Sequence, residues 1–406
     1  MSKVIVVGAG PAGMMAALQS SKKHEVILLD GNERIGKKLF ITGKGRCNVT
    51  NAKDISEFFE YIPGNPHFLY SALYSFTNND TMSFFENEGI KLKVERGDRV
   101  FPESDKSSDI IRGLSNALSR TKVKIRLNSK VTNVKFKDKK IIALEINNEE
   151  ILSGDYFIIA TGGATYPLTG SRGEGQKFAQ MLGHNITPLT PALVPMEVID
   201  AKTKELMGLS LKNVEVTIKK SDKKVVYKNF GEMLFTHFGV SGPLILSGSR
   251  FIEKGKNYTL HIDLKPALNL GELDKRIQKD FSKYLNKDFK NSLDELLPQK
   301  LIAIVIEMSG ISKDRKVNDI TKEERKTLVK LIKDLTFDIK GLRPLDEGIV
   351  TVGGVDIKEI DPSTMKSRIV ENLSFAGEVM DVDAFTGGYN VQIAFSTGFI
   401  AGSSIK

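Results

Sequence analysis

The sequence predicts an α/β chain: a Rossmann-like domain begun at the N-terminus, interrupted by a β-rich and then a helical insertion, and completed by the C-terminal residues. Three observations carry this prediction. A glycine-rich turn, Gly8-Ala9-Gly10-Pro11-Ala12-Gly13, stands between two short apolar runs. Pro188, Pro191 and Pro195 then punctuate the chain, and the pattern changes after them. Glycine-rich alternation returns at Gly353-Gly354-Val355. The expected division is 1–190 with 341–406 as one discontinuous domain, 191–270 as an inserted β-rich domain, and 271–340 as a helical subdomain.

Taken in order, Val4–Val7 is a continuous apolar run of the kind a strand buried on both faces needs. Met14 to Ser21 reads as an Ala-rich helix packed on the sheet, and Glu25 to Leu29 as a second strand ending at Asp30. The turn between them has the Gly-x-Gly-x-x-Gly spacing of a dinucleotide site, in its proper strand–turn–helix context. Gly8 permits the tight turn, Gly10 lets backbone approach a pyrophosphate, and Gly13 allows close helix–strand packing. The helix start offers N–H groups and positive partial charge to the phosphates. Asp30 can accept hydrogen bonds from ribose hydroxyls and disfavours a 2′-phosphate, which favours FAD or NAD over NADP. The segment from Gly36 to Asn51 is basic and punctuated by glycine where a plain dehydrogenase would continue with helix and strand. It suits an extended cofactor running on toward a flavin.

Residues 55–90 read as helices, Val94 to Phe101 as a hairpin turning at Gly97-Asp98, and Ile110 to Leu118 as a helix. Val123–Leu127, Val131–Lys137 and Ile141–Ile146 read as strands. Tyr156–Ala160 is a further buried strand running into Thr161-Gly162-Gly163, and a helix follows from Gln176 to Leu182. Val214–Ile218, Val225–Tyr227, Met233–Phe235 and Tyr258–Leu264 suggest the small β-domain. Helical periodicity then sets in, as at Leu273, Ile277 and Phe281. Leu373–Phe375 reads as a strand ending in Gly377 and Glu378, and Gly387-Gly388 opens a final helix, Ile393 to Ala401.

Composition narrows the function classes. The chain has 406 residues, 40% of them hydrophobic and 27% charged, enough for a large core and against wholesale disorder. A single cysteine, Cys47, excludes an intrachain disulfide, a multi-cysteine zinc site and redox chemistry through a Cys pair, and no metal site is expected. No signal peptide and no run of about 18 apolar residues is present, so the expectation is a soluble cytoplasmic protein with no membrane partner. The net charge of +9 is uneven. Residues 191–340 hold 28 basic and 21 acidic side chains, net +7, whereas residues 341–406 hold 5 and 9, net −4. The basic middle is either a Lys-rich solvated surface or a face that meets a polyanion.

The blocks GAGPAG, GKKLFITGKGRCNVTN, ATGGATYP with TGSRGEG, LFTHFGVSGP and FAGEVMDVDAFTGGYNVQIAFSTG together resemble the BaiN/RdsA (YhiN-like) family of FAD-dependent oxidoreductases, in order and over essentially the whole chain. The main departure is Lys44, where the family more often has a small residue. The resemblance implies a two-dinucleotide-binding-type FAD domain interrupted by an inserted β-barrel-like plus helical domain, with FAD held non-covalently. It implies that Gly8, Gly10, Pro11, Ala12 and Gly13 cradle the pyrophosphate, with Asp30 and Gly31 at the adenosine ribose and the Val131 backbone at the adenine. Lys38, Gly43, Gly45, Arg46, Cys47 and Asn48 would wrap the pyrophosphate and ribityl chain, and Thr161, Gly162 and Gly163 would lie along it. Gly377, Glu378 and Asp381 would hold the ribityl end, and Gly388, Tyr389, Asn390 and Val391 the pyrimidine edge of the flavin. The implied reaction is reduction of a polarised C=C by flavin hydride, with NAD(P)H as electron source.

Two residues are candidate proton donors. Cys47 is either a small side chain filling the flavin loop or the acid that protonates the carbon next to hydride delivery; His237 either donates that proton or is a satisfied histidine among aromatics. Arg46 and Arg99 either meet an anion or cap local backbone and ion pairs. The substrate readings are a uridine in ribosomal RNA, met by the basic insertion with Tyr227, Phe230, Phe235 and Phe238 as stacking faces, or a small steroid- or bile-acid-like enone. A flavin-bearing binding protein without turnover is the third reading.

Overall fold

Strands buried on both faces need apolar side chains at every position, and Val4, Ile5 and Val6 expose none of their surface. Strand Lys3–Val7 is the middle of a five-stranded parallel sheet in the order Leu373–Phe375, Tyr156–Ile159, Lys3–Val7, Glu25–Leu29, Lys124–Arg126. Numbered along the chain this is 5-4-1-2-3, the Rossmann order, which reverses between Lys3–Val7 and Tyr156–Ile159. The carboxyl ends of those two strands run into Gly8 and Thr161, where such sheets open a ligand crevice. The computed structural model describes residues 1–406, the side chain of Ala201 excepted. It divides into two compact units, Met1–Pro191 with Leu345–Lys406, and Ala192–Pro344.

In the first unit, helix Pro11–Ser20 is apolar almost all round, as a helix buried on every side must be. Helix Tyr389–Ser403 packs beside it through small residues: a side chain at Gly398 would overlap the Ala12 carbonyl, and one at Gly402 the Ala16 carbonyl. The last helix of the chain is thus bound to the first. An antiparallel meander, Val131–Lys137, Lys140–Ile146 and Glu150–Ser153, and a small sheet of Thr50–Asn51, Arg99–Pro102 and Leu92–Glu95 complete the unit with short helices.

The second unit is a closed six-stranded barrel with four α-helices among the described residues, the first of them Pro243–Ser249. Met196–Val198, Gly239–Ser241, Val225–Phe235, Ser210–Lys220, Tyr258–Asp263 and Leu335–Leu342 follow one another around it, and the last pairs back onto the first. Closure leaves no strand edge open to a second chain. Helices Leu270–Ser282 and Lys322–Lys333 each begin with a capping box, Asn269 with Glu272 and Thr321 with Glu324, and Gln299–Ser309 lies between them in the chain.

Two expectations differ from this structure. The sequence divided the insertion into a β-rich domain over 191–270 and a helical subdomain over 271–340, but the strand after the helices, Leu335–Leu342, closes the barrel. The helix stripe of Leu273, Ile277, Leu328 and Ile332 also shares one hydrophobic core with Leu260, Ile262 and Phe337. Local periodicity shows where helices start but not that their apolar faces need the barrel for cover. The stacking face expected on this unit is also absent. Tyr227 and Phe235 are buried in the core and Phe238 is half-buried, which leaves Phe230 as the one exposed ring of the four. Among the described residues no helix is long and apolar enough to cross a membrane.

Because barrel and helices share one core, Leu260→Ala is expected to destabilise both together, by about 2–5 kcal/mol for a buried leucine. Urea unfolding followed by far-UV circular dichroism and by proteolysis within Leu270–Ser282 would check this; loss of barrel structure with the helices still protected would contradict it.

Candidate cofactor site

The turn after the first strand is shaped by three glycines with different duties. Gly8 has φ +104°, and a Cβ there would come 2.5 Å from the Ala160 carbonyl oxygen. A side chain at Gly13 would overlap the Gly8 carbonyl oxygen. Those two are required by the chain's own packing. Gly10 is not: no atom lies within 4 Å of the place a Cβ would take, and the residue is half-exposed. It keeps one side of the turn open. Helix Pro11–Ser20 has Pro11 in its first turn, no side-chain cap and no acidic residue there. Its first N–H groups and positive end are therefore available to an anion.

Asp30 ties the second strand to this turn. Its Oδ2 accepts the Ala9 N–H at 2.7 Å, and its Oδ1 accepts both the backbone and side-chain N–H groups of Asn32 at 2.8 Å. A carboxylate has about four acceptor positions, so capacity remains for a ribose hydroxyl. Gly31 is exposed beside Lys130, and Val131 is buried with its backbone paired to Ile146.

The second loop is held in left-handed backbone at Gly43, Lys44, Gly45 and Cys47, with φ between +57° and +82°. Lys44 and Cys47 carry side chains in that conformation, at a cost of about 1–2 kcal/mol each. Cys47 lies wholly inside the hydrophobic core, and burial pushes its thiol up to about 12 despite a hydrogen bond with Thr42. A thiol with no exposed atom does not hand a proton to a substrate, so the donor reading of Cys47 is replaced by packing. Arg46 is also redirected. Its guanidinium pairs with Glu95 and with Asp105 (2.7 Å) and lies 4.2 Å from the Phe101 ring centre, so its charge serves the loop's own fold. Arg99 donates to the Arg96 carbonyl at 3.0 Å. Asn48 Oδ1 and Thr161 Oγ1 are buried polar atoms without a protein partner, one in each stretch assigned to the cofactor.

Lys38 and Glu378, 340 residues apart, meet as a half-buried ion pair at 2.9 Å. Lys38 also donates to Thr165 Oγ1 at 2.9 Å, and Glu378 Oε1 accepts the Thr351 N–H at 2.7 Å. A side chain at Gly163 would collide with Thr351 and Glu378, so that glycine serves this knot. Thr165, inside the ATGGATYP block, and Thr351 were not anticipated as partners of this pair, because the chain brings them together only through the fold. Gly162 offers its carbonyl to Gln176 Nε2 at 3.0 Å.

At the other end, a Cβ on Gly377 would come 2.9 Å from Ala12, which places the Gly377–Val379 turn against the phosphate helix. Gly388 lies directly on the Thr50 carbonyl. Tyr389 does not present its ring to the crevice. It is buried, stacked on Tyr61 at 4.7 Å and edge-on to Phe58 at 5.0 Å, and burial raises its hydroxyl above the usual range. Asn390 closes a loop onto the backbone of Ala384, and Val391 packs on the core. Asp381 is half-buried and offers its backbone carbonyl to Asn65 at 2.7 Å. His237 is exposed in the other unit, edge-on to Phe238 at 4.8 Å, so the two proposed proton donors belong to separate units.

Four substitutions test these assignments. Gly10→Ala is expected to fold as the wild type while weakening FAD by about tenfold to a hundredfold, the worth of one charge-assisted phosphate contact; Gly13→Ala is expected to lose fold and flavin together. Absorbance at 450 nm beside a thermal melt separates the two effects. Lys44→Gly is expected to stabilise the chain by about 1 kcal/mol by relieving a left-handed lysine, read as a rise in melting temperature. Cys47→Ala is expected to keep its turnover number at lowered stability, and native Cys47 to resist a thiol reagent until urea is added.

The chain matches the family described as HI0933-like protein Rossmann domain over residues 2–404. It is 33% identical over 409 residues to a ribosomal RNA dihydrouridine synthase of Haemophilus influenzae, covering 100% of this chain and 98% of that one. It is 30% identical over 422 residues to a 3-dehydro-bile acid delta(4,6)-reductase of Clostridium scindens, covering 99% and 98%. Among solved structures, 3-ketosteroid delta1-dehydrogenase from Sterolibacterium denitrificans superposes with a TM-score of 0.52 at 12% identity, over 99% of this chain and 98% of that one, a likeness of fold. With full-length matches in sequence and the expected turn, sheet order and inserted barrel in place, this chain belongs to the HI0933-like family of Rossmann-domain oxidoreductases.

Proposed function

We propose that this oxidoreductase binds FAD non-covalently and reduces a polarised carbon–carbon double bond with NAD(P)H as electron source, its acceptor being a uridine of ribosomal RNA. The observation that carries the cofactor is the open side of Gly10 at the switch point of the sheet, above an uncapped helix start. Both flanking glycines are explained by packing and this one is not. The unpartnered Asn48 Oδ1 and Thr161 Oγ1 fit the same group.

When bound and reduced by NAD(P)H, FAD would supply the hydride for one carbon of the double bond, the other carbon taking its proton from water. The chain's own residues bind and orient. The N–H groups of Ala12 and Gly13 would meet a pyrophosphate, Asp30, fixed by Ala9 and Asn32, would hold a ribose hydroxyl, and the Lys38–Glu378 pair would border the crevice. Cys47 keeps the second loop packed and plays no part in proton transfer.

The RNA substrate is supported by the net charge of +7 over residues 191–340 and by a relative that is named a ribosomal RNA dihydrouridine synthase at 33% identity. The enone reading is supported by the bile-acid reductase relative and by the single exposed ring, Phe230, where four were expected. Nucleoside mass spectrometry of ribosomal RNA from a deletion strain is expected to show one dihydrouridine missing and restored by the intact gene; unchanged dihydrouridine overturns the RNA reading. Turnover on RNA is expected to fall steeply with salt, whereas reoxidation of the reduced flavin by a small enone at a salt-independent rate would favour the second reading.

A further inference from the structure

The first unit carries a second polar concavity at the opposite end of its sheet from the Gly8–Gly13 turn. The parallel strands and the two packed helices fix this position. Lys23 lies just before strand Glu25–Leu29, at the amino end of the sheet, and the ends of helices Pro11–Ser20 and Tyr389–Ser403 come together there, with Ser20 Oγ 3.4 Å from the Gly402 carbonyl. The pocket has a volume of about 490 Å³, and Lys23, Lys366, Arg368, Lys406, Thr364 and Ser404 are among the residues that line it. A pocket of this size accommodates a nucleotide-sized ligand.

Its charge is not balanced by its own residues. Lys406 is left out of the count. Lys23, Lys366 and Arg368 remain, and none of the three is ion-paired among the described residues. Asp361 is the one acidic side chain in the lining, and its Oδ1 already accepts the Ser363 N–H at 2.8 Å and Oγ–H at 2.6 Å. The two helix ends together contribute roughly one unit of negative partial charge. Three cations against Asp361 and these ends leave an excess of positive charge.

The site is also built rather than merely exposed. Lys366 is half-buried, its ammonium 5.7 Å from the centre of the Tyr156 ring, and that ring is tied by its hydroxyl to Ser374 at 3.1 Å. The loop around it is paired to the edge strand, the Phe375 N–H donating to the Met365 carbonyl at 3.0 Å. Burial and the neighbouring Lys406 hold the Lys366 ammonium below the usual lysine range, as expected for a cation crowded by like charge.

We propose that Lys23, Lys366 and Arg368, with the hydroxyls of Thr364 and Ser404, form a binding site for a phosphate group, distinct from the cofactor crevice. A phosphate group supplies one negative charge as a diester or about two as a monoester, with several acceptor oxygens, to three cations and two hydroxyl donors. The phosphate can come from a nucleotide or from an RNA backbone, and the experiment separates these sources.

The FAD-loaded full-length protein is titrated by calorimetry with inorganic phosphate, adenosine 2′,5′-bisphosphate and a short oligouridylate, alongside Lys23→Ala/Arg368→Ala and Lys366→Ala. Each removed cation is expected to weaken binding by about tenfold, with FAD absorbance and melting temperature retained in the Lys23→Ala/Arg368→Ala variant, whose two side chains are exposed. Binding of the bisphosphate at least tenfold tighter than inorganic phosphate identifies a nucleotide. Tighter binding of the oligouridylate, with a salt slope that falls by about 1.4 in the double variant, identifies RNA backbone. No binding of any of the three, or equal binding by wild type and the double variant, overturns the proposal.

Discussion

The whole cofactor-binding unit depends on one close approach of backbone to backbone. Gly13 must sit directly on the Gly8 carbonyl, and Gly8 in turn on the Ala160 carbonyl, for the first helix to start where the first and fourth strands end. No residue with a Cβ can occupy either place. Once this contact is made, the helix points its uncapped end at the switch point of the sheet, and the C-terminal helix can lie on the first one through Gly398 and Gly402. The steric demand of a few glycines thereby joins the two ends of a 406-residue chain into one domain.

Around this frame, groups that look like ligand contacts in sequence divide into two kinds. Gly10 is left open, Asp30 keeps acceptor capacity, and Asn48 and Thr161 hold polar atoms without partners. Arg46, Tyr389 and Asn390 are instead consumed by the protein: the first by two carboxylates and a ring, the second by an aromatic cluster, the third by a loop backbone. A dinucleotide site needs its loops rigid as much as it needs them to touch the ligand, and many residues of its motifs do only the former.

The cysteine illustrates why. A left-handed backbone at Cys47 is costly, and it persists because the side chain is buried in the core below the loop. The same burial that fixes the loop raises the thiol and hides it, so the feature that makes Cys47 valuable to the site removes it from the chemistry. The Lys38–Glu378 pair shows the complementary case. It joins residues 340 positions apart at the edge of the crevice, and half-burial strengthens the attraction without the full desolvation of a core ion pair.

The amino-acid sequence by itself determined the strand–turn–helix–strand start, the cofactor turn, the family and the presence of an insertion. These rest on local rules: glycine at fixed spacing, apolar runs of strand length, and proline at boundaries. Tertiary structure alone decided that barrel and helices share one core, because strand Leu335–Leu342 joins partners far away in sequence. It alone placed Thr165 and Thr351 on the Lys38–Glu378 pair, turned the Tyr389 ring inward and hid the Cys47 thiol. A motif specifies which residues the backbone brings near a ligand; which of their side chains face it depends on burial and on partners that only the folded chain supplies.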